Sequence, residues 1–482
     1  MTISRRDFMV ASAATSVLGA AAVSRPAAAA AGRDPNVIVI GAGLSGLGTA
    51  LALEEAGLKV RMIEGRKRIG GRLYTLDDVP GHPEAGGNSV AAAYGRVIAA
   101  GKRYDVALDD IAERAFGGGP PGLYIAGEHV PLDAWPAHAR NPFGPDLKSL
   151  PPWAWAGALF KRHRPFADPG RWADPEFSKY DISVYEFLQA QGVSDAAIQL
   201  GYDTNISYGS TAHDVSLLMQ AYVDHWQAVN SAAGPRFVRA FRGGNQRLPE
   251  AMARRLKGEL LTGRRVVSIA TRADGAEVYC EDGSRHRAKA VVCSMPFGTL
   301  RHVAIDPLPP PVQNAAIRTL GYVPVTQVHI VPKRKFWESD GQNPSMWTDG
   351  LVGTVYAQRF GPDPKEVMSL TCWARGLQAQ YLDQLGPEAA GRAVVAEFER
   401  LRPAAKGALK VAKVRSWATD PFAGGVWSSF GPGDVTAYAN SLAAPHGRLF
   451  FCGEHTALAS RGMEAALESA ERAAVEVQLA LG

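Results

Sequence analysis

The sequence predicts an α/β protein, in which a Rossmann-like dinucleotide-binding domain is interleaved with a second, α+β domain of a mixed sheet plus helices. Two observations predict this class. A β-branched strand leads directly into a glycine-rich turn and a helix at residues 36–56, and a strand–turn–helix pattern returns near the C-terminus at residues 447–474. Residues 109–236, rich in Pro, Trp and Gly, show no clean period, so a different kind of domain is expected between them.

The first 31 residues are predicted to be a removable export signal and not part of the fold. A twin arginine, Arg5-Arg6, precedes an apolar run from Phe8 to Val23, and the alanines of residues 27–31 offer cleavage sites. The run is too short to span a bilayer stably, so no stable membrane insertion is expected. A twin-arginine signal predicts a periplasmic or secreted protein that is exported folded, with its cofactor bound. The alternative is a disordered N-terminus with a chance arginine pair.

Composition and charge exclude several classes of protein. A chain of 482 residues that is 46% hydrophobic and 21% charged is not disordered, collagenous or a coiled coil. The net charge of +5 does not predict nucleic-acid binding. The 11 histidines lack ligand spacing, so no metal site is expected. The four cysteines lack a C-x-x-C pair and are interpreted as buried free thiols, with a disulfide as the alternative.

The strongest motif begins the folded chain. Residues 36–40 form a buried strand, residues 47–56 a helix and residues 58–63 a second strand that ends at Glu64. Glycines in the intervening turn permit the turn itself, close approach of a pyrophosphate and helix–strand packing, while Glu64 stands where an acid binds an adenosine ribose. This pattern predicts dinucleotide binding by the turn Gly41, Ala42, Gly43, Leu44, Ser45 and Gly46, together with Glu64.

Two further glycine-rich turns favour a flavin over a nicotinamide cofactor. The chain continues from Glu64 without a break into a segment with a glycine pair and several arginines, which supply counter-charge to phosphates. A third glycine-rich turn occupies residues 84–88, and a nicotinamide enzyme does not usually need it. The residues added by these turns are Gly65, Arg66, Gly70, Gly71, Arg72, Gly86, Gly87 and Asn88.

With these motifs and the C-terminal segment Gly447 to Ala474, the chain resembles the flavin-containing amine oxidase family, which includes monoamine oxidase, polyamine oxidase and bacterial nicotine oxidases. The resemblance implies FAD as the cofactor, with Glu64 at the adenosine ribose. It also implies that a helix beginning at Gly462 points its N-terminus at the flavin. By the same resemblance, further cofactor-binding residues are Val266, Gly453, Glu454 and Met463.

Three positions depart from the family pattern. Monoamine oxidases attach FAD through a cysteine where this chain has Val426, so non-covalent FAD is expected. Trp427 matches one of two aromatic rings that flank the flavin, but the other falls at or beside Gly462, which predicts room for a bulkier or differently shaped substrate. Gln327 replaces the lysine that holds a water near the flavin. We therefore expect Gln327, Trp427 and Gly462 to position the substrate for its reaction.

The chain is expected to cross several times between its two domains. Residues 34–108, 237–316 and 420–482 are predicted to form the FAD-binding domain, and residues 109–236 and 317–419 the substrate-binding domain. Helices are predicted near residues 183–190, 215–226, 249–257 and 387–401. A three-strand meander is predicted at residues 265–269, 276–281 and 288–295, and further strands near residues 326–331, 367–373 and 448–452.

The predicted reaction is oxidation of a small-molecule amine to an imine, by hydride transfer to the flavin and hydrolysis to an aldehyde or ketone. Because Gln327 carries no charge, the electron acceptor is left open between O₂ and a periplasmic electron carrier. A flavin desaturase or oxidase of a neutral alcohol, phenolic or allylic substrate is the main alternative. Two less favoured alternatives are an L-amino acid oxidase and a non-enzymatic FAD-binding protein. A homodimer is considered possible because dimers are common among relatives.

Overall fold

The structure, a computed structural model, describes residues 34–162, 167, 169–232 and 237–482. The predicted signal peptide, residues 1–31, lies outside them. Twenty strands form five sheets in the described part of the chain. In chain order they are β1 Val37–Ile40, β2 Val60–Ile63, β3 Leu108–Asp110, β4 Gly122–Ile125, β5 Glu128–Val130, β6 Arg239–Phe241, β7 Leu260–Leu261, β8 Val266–Arg272, β9 Gly275–Cys280, β10 Arg285–Ala288, β11 Ala290–Cys293, β12 Ala304–Asp306, β13 Gly321–Tyr322, β14 Val325–Pro332, β15 Met346–Thr348, β16 Thr354–Gln358, β17 Ser369–Arg375, β18 Leu409–Ser416, β19 Ser428–Ser429 and β20 Leu449–Phe451.

Helices connect and cover these strands. Within the described residues they are α1 Leu44–Glu55, α2 Gly95–Arg103, α3 Ala112–Phe116, α4 Pro152–Arg162, α5 Val184–Ala190, α6 Asp195–Ile198, α7 Leu217–Ser231, α8 Arg247–Ala253, α9 Phe297–Leu300, α10 Pro311–Thr319, α11 Phe336–Asp340, α12 Gly376–Leu385, α13 Pro387–Leu401, α14 Asp434–Tyr438 and α15 Gly462–Leu481. Short 3-10 turns lie at Trp135–Ala137, Pro145–Leu147, Pro169–Arg171, Pro175–Tyr180, Ala212–Asp214, Pro403–Ala405, Ala439–Ser441 and Glu454–Thr456, and a π-helical turn at Gln199–Asp203.

A parallel five-stranded sheet organises the dinucleotide-binding region, with the strand order β20-β11-β1-β2-β7. Every side chain of the central strand β1 is buried, which explains its unbroken β-branched sequence. A four-stranded sheet, β10-β9-β8-β12, lies next to it in the chain. The fold class is therefore confirmed as α/β with a Rossmann-like parallel sheet.

The second large sheet is mixed and has seven strands in the order β18-β14-β17-β16-β15-β4-β5. All its neighbouring pairs are antiparallel except β15 with β4. Its strands come from residues 122–130 and 325–416, while the strands of the parallel sheet come from residues 37–63, 260–293 and 449–451. The chain thus returns to each sheet more than once.

Most predicted elements are present, with small differences at their ends. The helix predicted at 387–401 has the observed bounds of α13, and the helix predicted at 183–190 is α5, whose N-terminus is fixed by a capping box between Ser183 and Glu186. Helix α1 begins at Leu44, three residues earlier than predicted, because Gly43 serves as its N-cap and the helix opens inside the glycine-rich turn.

One predicted strand was wrong. The third strand of the meander was placed at residues 288–295, but the chain divides there into two strands on either side of Lys289. Strand β10 completes the antiparallel meander, whereas β11 inserts between β1 and β20 in the parallel sheet. The reason is burial: all four residues of β11 are buried, so this apolar run satisfies a central strand better than an edge of the meander.

The cysteines are the buried free thiols that the sequence predicted. Cys280, Cys293, Cys372 and Cys452 are all buried and unpaired. Burial raises the pKa of the Cys293 thiol to about 12 and that of the Cys452 thiol to about 11, so both are inert at neutral pH. Among the described residues there is no helix long and apolar enough to cross a membrane, and no group of three metal-binding side chains.

Candidate active site

A cleft opens where the strands of the parallel sheet end. Residues that follow β1, β2, β7, β11 and β20 at their carboxyl ends all line it, including Gly41, Glu64, Ser294 and Glu454. In open parallel sheets, ligands bind at this edge.

Two long helices begin at this cleft. Neither α1 nor α15 has a side chain that caps its N-terminus, and Leu44, Ser45 and Met463 in their first turns line the cleft. Uncapped backbone N–H groups at a helix N-terminus attract anionic groups of a ligand. The helices pack closely, since a Cβ on Gly48 of α1 would lie 3.0 Å from the Cβ of Ala470.

The glycine turns leave space that side chains would fill. A Cβ on Gly71, whose φ is +58°, would lie 3.2 Å from the Cα of Gly43, so the first two glycine turns meet backbone to backbone. A Cβ on Gly46 would lie 1.9 Å from the carbonyl oxygen of Gly41, and one on Gly86 would lie 1.9 Å from that of Arg72. Glycine is therefore required for the close approach of these turns.

Glu64 is held rigidly at the end of β2. One of its carboxylate oxygens accepts the backbone N–H of Ala42 at 2.8 Å, and the other accepts that of Arg66 at 2.7 Å. The side chain is buried yet lines the cleft. Each carboxylate oxygen keeps a further lone pair, so the group can also accept hydroxyl protons from a bound ligand.

Arg66 is fixed by an acid that the sequence analysis did not single out. Its guanidinium lies 2.6 Å from Asp420 and 5.1 Å from the ring centre of Phe422. Arg415 also pairs with Asp420. Burial lowers the pKa of Arg66, although Asp420 opposes the shift. Asp420 thus holds two arginines in place at the cleft.

The neighbouring arginines of the second glycine turn have different tasks. Arg68 donates to the carbonyl oxygens of Ile69, Gly71 and Leu73, so it braces the turn from within. Burial lowers the pKa of Arg68 to about 10. Arg72 lines the cleft and donates to the carbonyl of Val426 at 2.5 Å and to Glu454 at 3.3 Å.

Glu454 is the centre of a buried ion-pair network. Besides Arg72, it accepts the hydroxyl and backbone N–H of Ser428 at 3.1 and 3.2 Å, and its carboxylate lies 3.5 Å from Arg461. Arg461 is buried, with its guanidinium 5.1 Å from the ring centre of Tyr208. Burial opposes the charge of Arg461, but Glu454 and the tyrosine outweigh it and raise its pKa.

Gln327 reaches the cleft from the mixed sheet. It lies on β14, directly opposite Trp373 of β17. Its amide nitrogen donates to the carbonyl of Ala85 at 3.1 Å, and its oxygen accepts the indole N–H of Trp373. The side chain is 1% exposed and lines the cleft. One amide hydrogen and one lone pair remain for a ligand or water.

Trp427 and Gly462 also line the cleft. The ring of Trp427 packs near Tyr208, with centroids 5.9 Å apart. The space next to Gly462 is not simply empty, because the Tyr94 hydroxyl lies 3.2 Å from the point where a Cβ would be. The room expected there from the sequence is therefore partly taken by Tyr94.

The structure brings nearly all the predicted site residues to one cleft. Ala42, Gly46 and Gly453 are not in its lining: Ala42 holds Glu64, Gly46 permits the turn, and Gly453 donates its N–H to Ser469 at 2.9 Å. The predicted residues in the lining are Gly41, Gly43, Leu44, Ser45, Glu64, Gly65, Arg66, Gly70, Gly71, Arg72, Gly86, Gly87, Asn88, Val266, Gln327, Trp427, Glu454, Gly462 and Met463.

Sequence reasoning missed Trp373, Trp417 and Phe422, which also line the cleft. Trp373 stands opposite Gln327 in the sheet, and the Trp417 indole N–H donates to the Ala85 carbonyl at 2.5 Å. A sequence signal existed for the first, because Trp373 lies on a predicted strand antiparallel to the strand of Gln327. None existed for the other two, which lie in an irregular segment.

The chain is similar to known proteins over most of its length. A model of the family described as flavin containing amine oxidoreductase matches residues 44–478. The chain belongs to this family. A flavin-containing amine oxidase of Danio rerio is 26% identical over 461 residues, covering 93% of this chain and 86% of that protein. A putative L-amino-acid oxidase of Bacillus subtilis is 25% identical over 486 residues, covering 92% and 94%.

A solved structure shows the same fold as this flavin-containing amine oxidoreductase. Cyclohexylamine oxidase from Brevibacterium oxydans superposes with a TM-score of 0.74 at 22% identity, covering 93% of this chain and all of that one. FAD is the cofactor of the family. The cleft fits it: glycine turns that side chains would fill, two uncapped helix N-termini and Glu64 with free lone pairs suit a pyrophosphate and a ribose.

Proposed function

We propose that this flavin-containing amine oxidoreductase oxidises apolar monoamines. The observation that carries the proposal is the state of the acids in the cleft. Among the residues that the structure describes, the lining contains two carboxylates, Glu64 and Glu454. Glu64 is assigned to the adenosine ribose of FAD, and Glu454 is engaged by two arginines and Ser428. Neither is available to pair with a second ammonium group, so a diamine would leave a charge unpaired in a partly buried site.

The aromatic lining favours the reactive form of the substrate. Trp373 and Trp427 line the cleft together with Gln327 and Gly462 and give it large apolar surfaces. Such surroundings disfavour charge and lower the pKa of a bound amine, so the neutral amine predominates. When bound, the flavin accepts the hydride equivalents that leave the carbon next to the amine nitrogen. The polypeptide itself positions the substrate, excludes water and holds its own polar groups fixed.

An amino acid substrate is disfavoured by the position of Arg461. A carboxylate-binding arginine needs free donors that face the cleft. Arg461 is 4% exposed, does not line the cleft, and is already paired with Glu454 and the carbonyl of Ser428. The alternative of a neutral alcohol, phenolic or allylic substrate is an outcome of the experiment below.

Anaerobic mixing of the holoenzyme with a matched pair of substrates tests the proposal. Hexylamine and 1,6-diaminohexane differ by one terminal ammonium group. We expect hexylamine to bleach the flavin at least about tenfold faster at equal concentration, because the unpaired charge of the diamine costs about 1.4 kcal/mol or more. Equal rates contradict the monoamine proposal. Bleaching by a neutral allylic or phenolic compound, but by no amine, contradicts amine oxidation by this enzyme.

FAD is proposed to be held without a covalent bond. Val426 lines the cleft at the position where the family resemblance places a cysteine in monoamine oxidases, and a valine side chain forms no thioether. Denaturation in acid followed by filtration should release all of the flavin into the filtrate. Flavin absorbance that stays with the polypeptide contradicts the proposal.

The electron acceptor is proposed to be either O₂ or a periplasmic electron carrier, and the reduced enzyme separates the two. Prompt formation of H₂O₂ when air is readmitted supports O₂, whereas slow reoxidation supports a carrier.

We further propose the domain boundaries given above and a homodimer. Sedimentation of the holoenzyme tests the homodimer, and a monomer at micromolar concentration contradicts it.

Export is proposed from the twin arginine. The Arg5→Lys/Arg6→Lys double variant should keep the enzyme in the cytoplasm with its flavin bound, while the unaltered chain appears in the periplasmic fraction. A single exchange of Arg25 for lysine, outside the pair, is the matched control. Equal distribution of the double variant and the unaltered chain between the two fractions contradicts twin-arginine export.

A further inference from the structure

Tyr94 stands beside a position of the cleft wall that has no side chain. Its hydroxyl oxygen lies 3.2 Å from the point where a Cβ on Gly462 would be, and Gly462 lines the cleft. Gly462 has a φ of +63°, a backbone conformation that strains other residues. The backbone here therefore disfavours a side chain of its own, and the Tyr94 hydroxyl lies beside the wall at this point.

The position of Tyr94 is fixed by helices on both sides of it. Tyr94 is the N-cap residue of α2, and the carboxylate of Glu464 accepts the backbone N–H groups of Arg96 and Val97 at 3.0 and 3.1 Å. Glu464 lies two residues after Gly462, in the first turn of α15. The same carboxylate thus ties the start of α2 to the start of α15, and Tyr94 to Gly462.

The hydroxyl of Tyr94 has a proton to donate. Its ring packs near Trp226, with centroids 5.8 Å apart. Burial raises the pKa of Tyr94 to about 12, which keeps the hydroxyl protonated. Within the described residues, no acceptor for this proton is observed.

We propose that Tyr94 is a specificity-determining residue, whose hydroxyl donates a hydrogen bond to an acceptor on the substrate. This inference rests on the proposed function. The acceptor is not the reacting nitrogen, because oxidation at the neighbouring carbon draws on the lone pair that such a bond would occupy. It is an oxygen or a ring nitrogen elsewhere in the molecule. The substrate class is therefore a monoamine with a hydrogen-bond acceptor on its apolar part.

Benzylamines with either a hydroxymethyl or an ethyl group at the same ring position test this inference. The two groups have nearly the same size, and only the first accepts a hydrogen bond. The measured quantity is the ratio of kcat/KM for the two substrates, at the ortho, meta and para positions. Replacing Tyr94 by Phe should lower the ratio about tenfold at one position, as expected for one neutral hydrogen bond. Trp226→Phe should lower it at the same position, because the smaller ring packs less closely against the phenol and orients it less firmly.

The exposed Tyr381 provides the matched control, and Tyr381→Phe should leave the ratio unchanged. Bound flavin and the melting temperature confirm that each variant is folded. A ratio that stays the same in Tyr94→Phe at all three positions overturns the role of Tyr94 while the proposed function stands. If neither hexylamine nor any benzylamine reduces the flavin, the proposed function fails and the role of Tyr94 fails with it; if hexylamine does but no benzylamine does, only the role of Tyr94 fails.

Discussion

The half-buried carboxyl group of Glu84 should make the stability of this enzyme depend on pH. Glu84 follows β2 in the third glycine turn and accepts the N–H of Asn245 at 2.6 Å and the hydroxyl of Thr75 at 3.1 Å. Neither of these two hydrogen-bond donors carries a positive charge. Burial raises the pKa of Glu84 from 4.5 to about 7, so the folded enzyme keeps a proton that the unfolded chain releases.

Stability should therefore depend on Glu84 between pH 4.5 and 7. In this window the folded state binds more protons than the unfolded chain, so stability falls as the pH rises. The total loss is about 3 kcal/mol. Glu84→Gln removes this titration and should flatten the melting temperature against pH. The exposed Glu366→Gln is the control, and an unchanged profile in Glu84→Gln contradicts the assignment.

Gln327 should stabilise the folded state through Trp373. Replacing it by methionine keeps the volume but leaves the buried indole N–H of Trp373 without its acceptor, at a cost of about 1–3 kcal/mol. The Ala85 carbonyl loses little, because Trp417 still donates to it. Denaturant unfolding of the holoenzyme measures the change. Gln191→Met, at an exposed position, should change the unfolding free energy by less than about 0.5 kcal/mol.

At the scale of single residues, the sequence indicates a residue type where local geometry demands one. Glycine at positions 43, 46 and 71 follows from the close approach of turns, and Glu64 from its place after a strand. The partners of these residues could not be predicted. Asp420 meets Arg66 only because segments 354 residues apart fold together.

Among the elements, the contact between α1 and α15 most directly shapes the cleft. Gly48→Ala would place a Cβ 3.0 Å from Ala470 and 3.2 Å from Leu467, so the helices must separate slightly. We expect a loss of about 1–3 kcal/mol in stability and weaker retention of FAD, because both helix N-termini face the cofactor site. Thermal unfolding and flavin content after dialysis measure the two effects.

Gly157→Ala is the matched control for this prediction. Gly157 lies in helix α4 and is exposed, and no neighbouring atom lies within 4 Å of the point where its Cβ would be. Alanine at this site should raise stability by about 0.5–1 kcal/mol, since glycine is a poor helix residue. Equal effects of the two substitutions would show that the helix contact has no special importance.

Elements were predictable from sequence where period and turns agreed. Helix α13 follows from its apolar spacing after Pro387, and β1 from its unbroken β-branched run. The division between β10 and β11 was not predictable, because a single residue, Lys289, separates two strands that belong to different sheets. Only tertiary burial distinguishes a central parallel strand from the edge of a meander.

For the whole molecule, the decisive property is that the cleft is assembled from distant parts of the chain. Gly43, Arg72, Gln327, Trp427 and Met463 all line it, although 420 residues separate the first from the last. The family resemblance predicted this assembly from separated motifs. The contribution of Trp373 from the mixed sheet was not predicted, although Trp373 lies on a predicted strand, because only the pairing of that strand with the strand of Gln327 brings it to the cleft. A ligand in this cleft contacts residues that only the complete fold brings together.

The melting temperature should therefore rise with free FAD. A non-covalent ligand that binds only the folded chain adds about 2.7 kcal/mol of stability at a hundredfold excess over its Kd, and about 1.4 kcal/mol for each further tenfold. FMN lacks the adenosine ribose that we assign to Glu64, so it should stabilise less than FAD. Glu64→Gln retains an acceptor for one backbone N–H but removes the carboxylate. This variant should therefore narrow the difference between the melting temperatures measured with FAD and with FMN. A melting temperature that stays constant over two decades of FAD concentration contradicts reversible binding. An equal rise in the melting temperature of the unaltered enzyme with FAD and with FMN contradicts the role of Glu64.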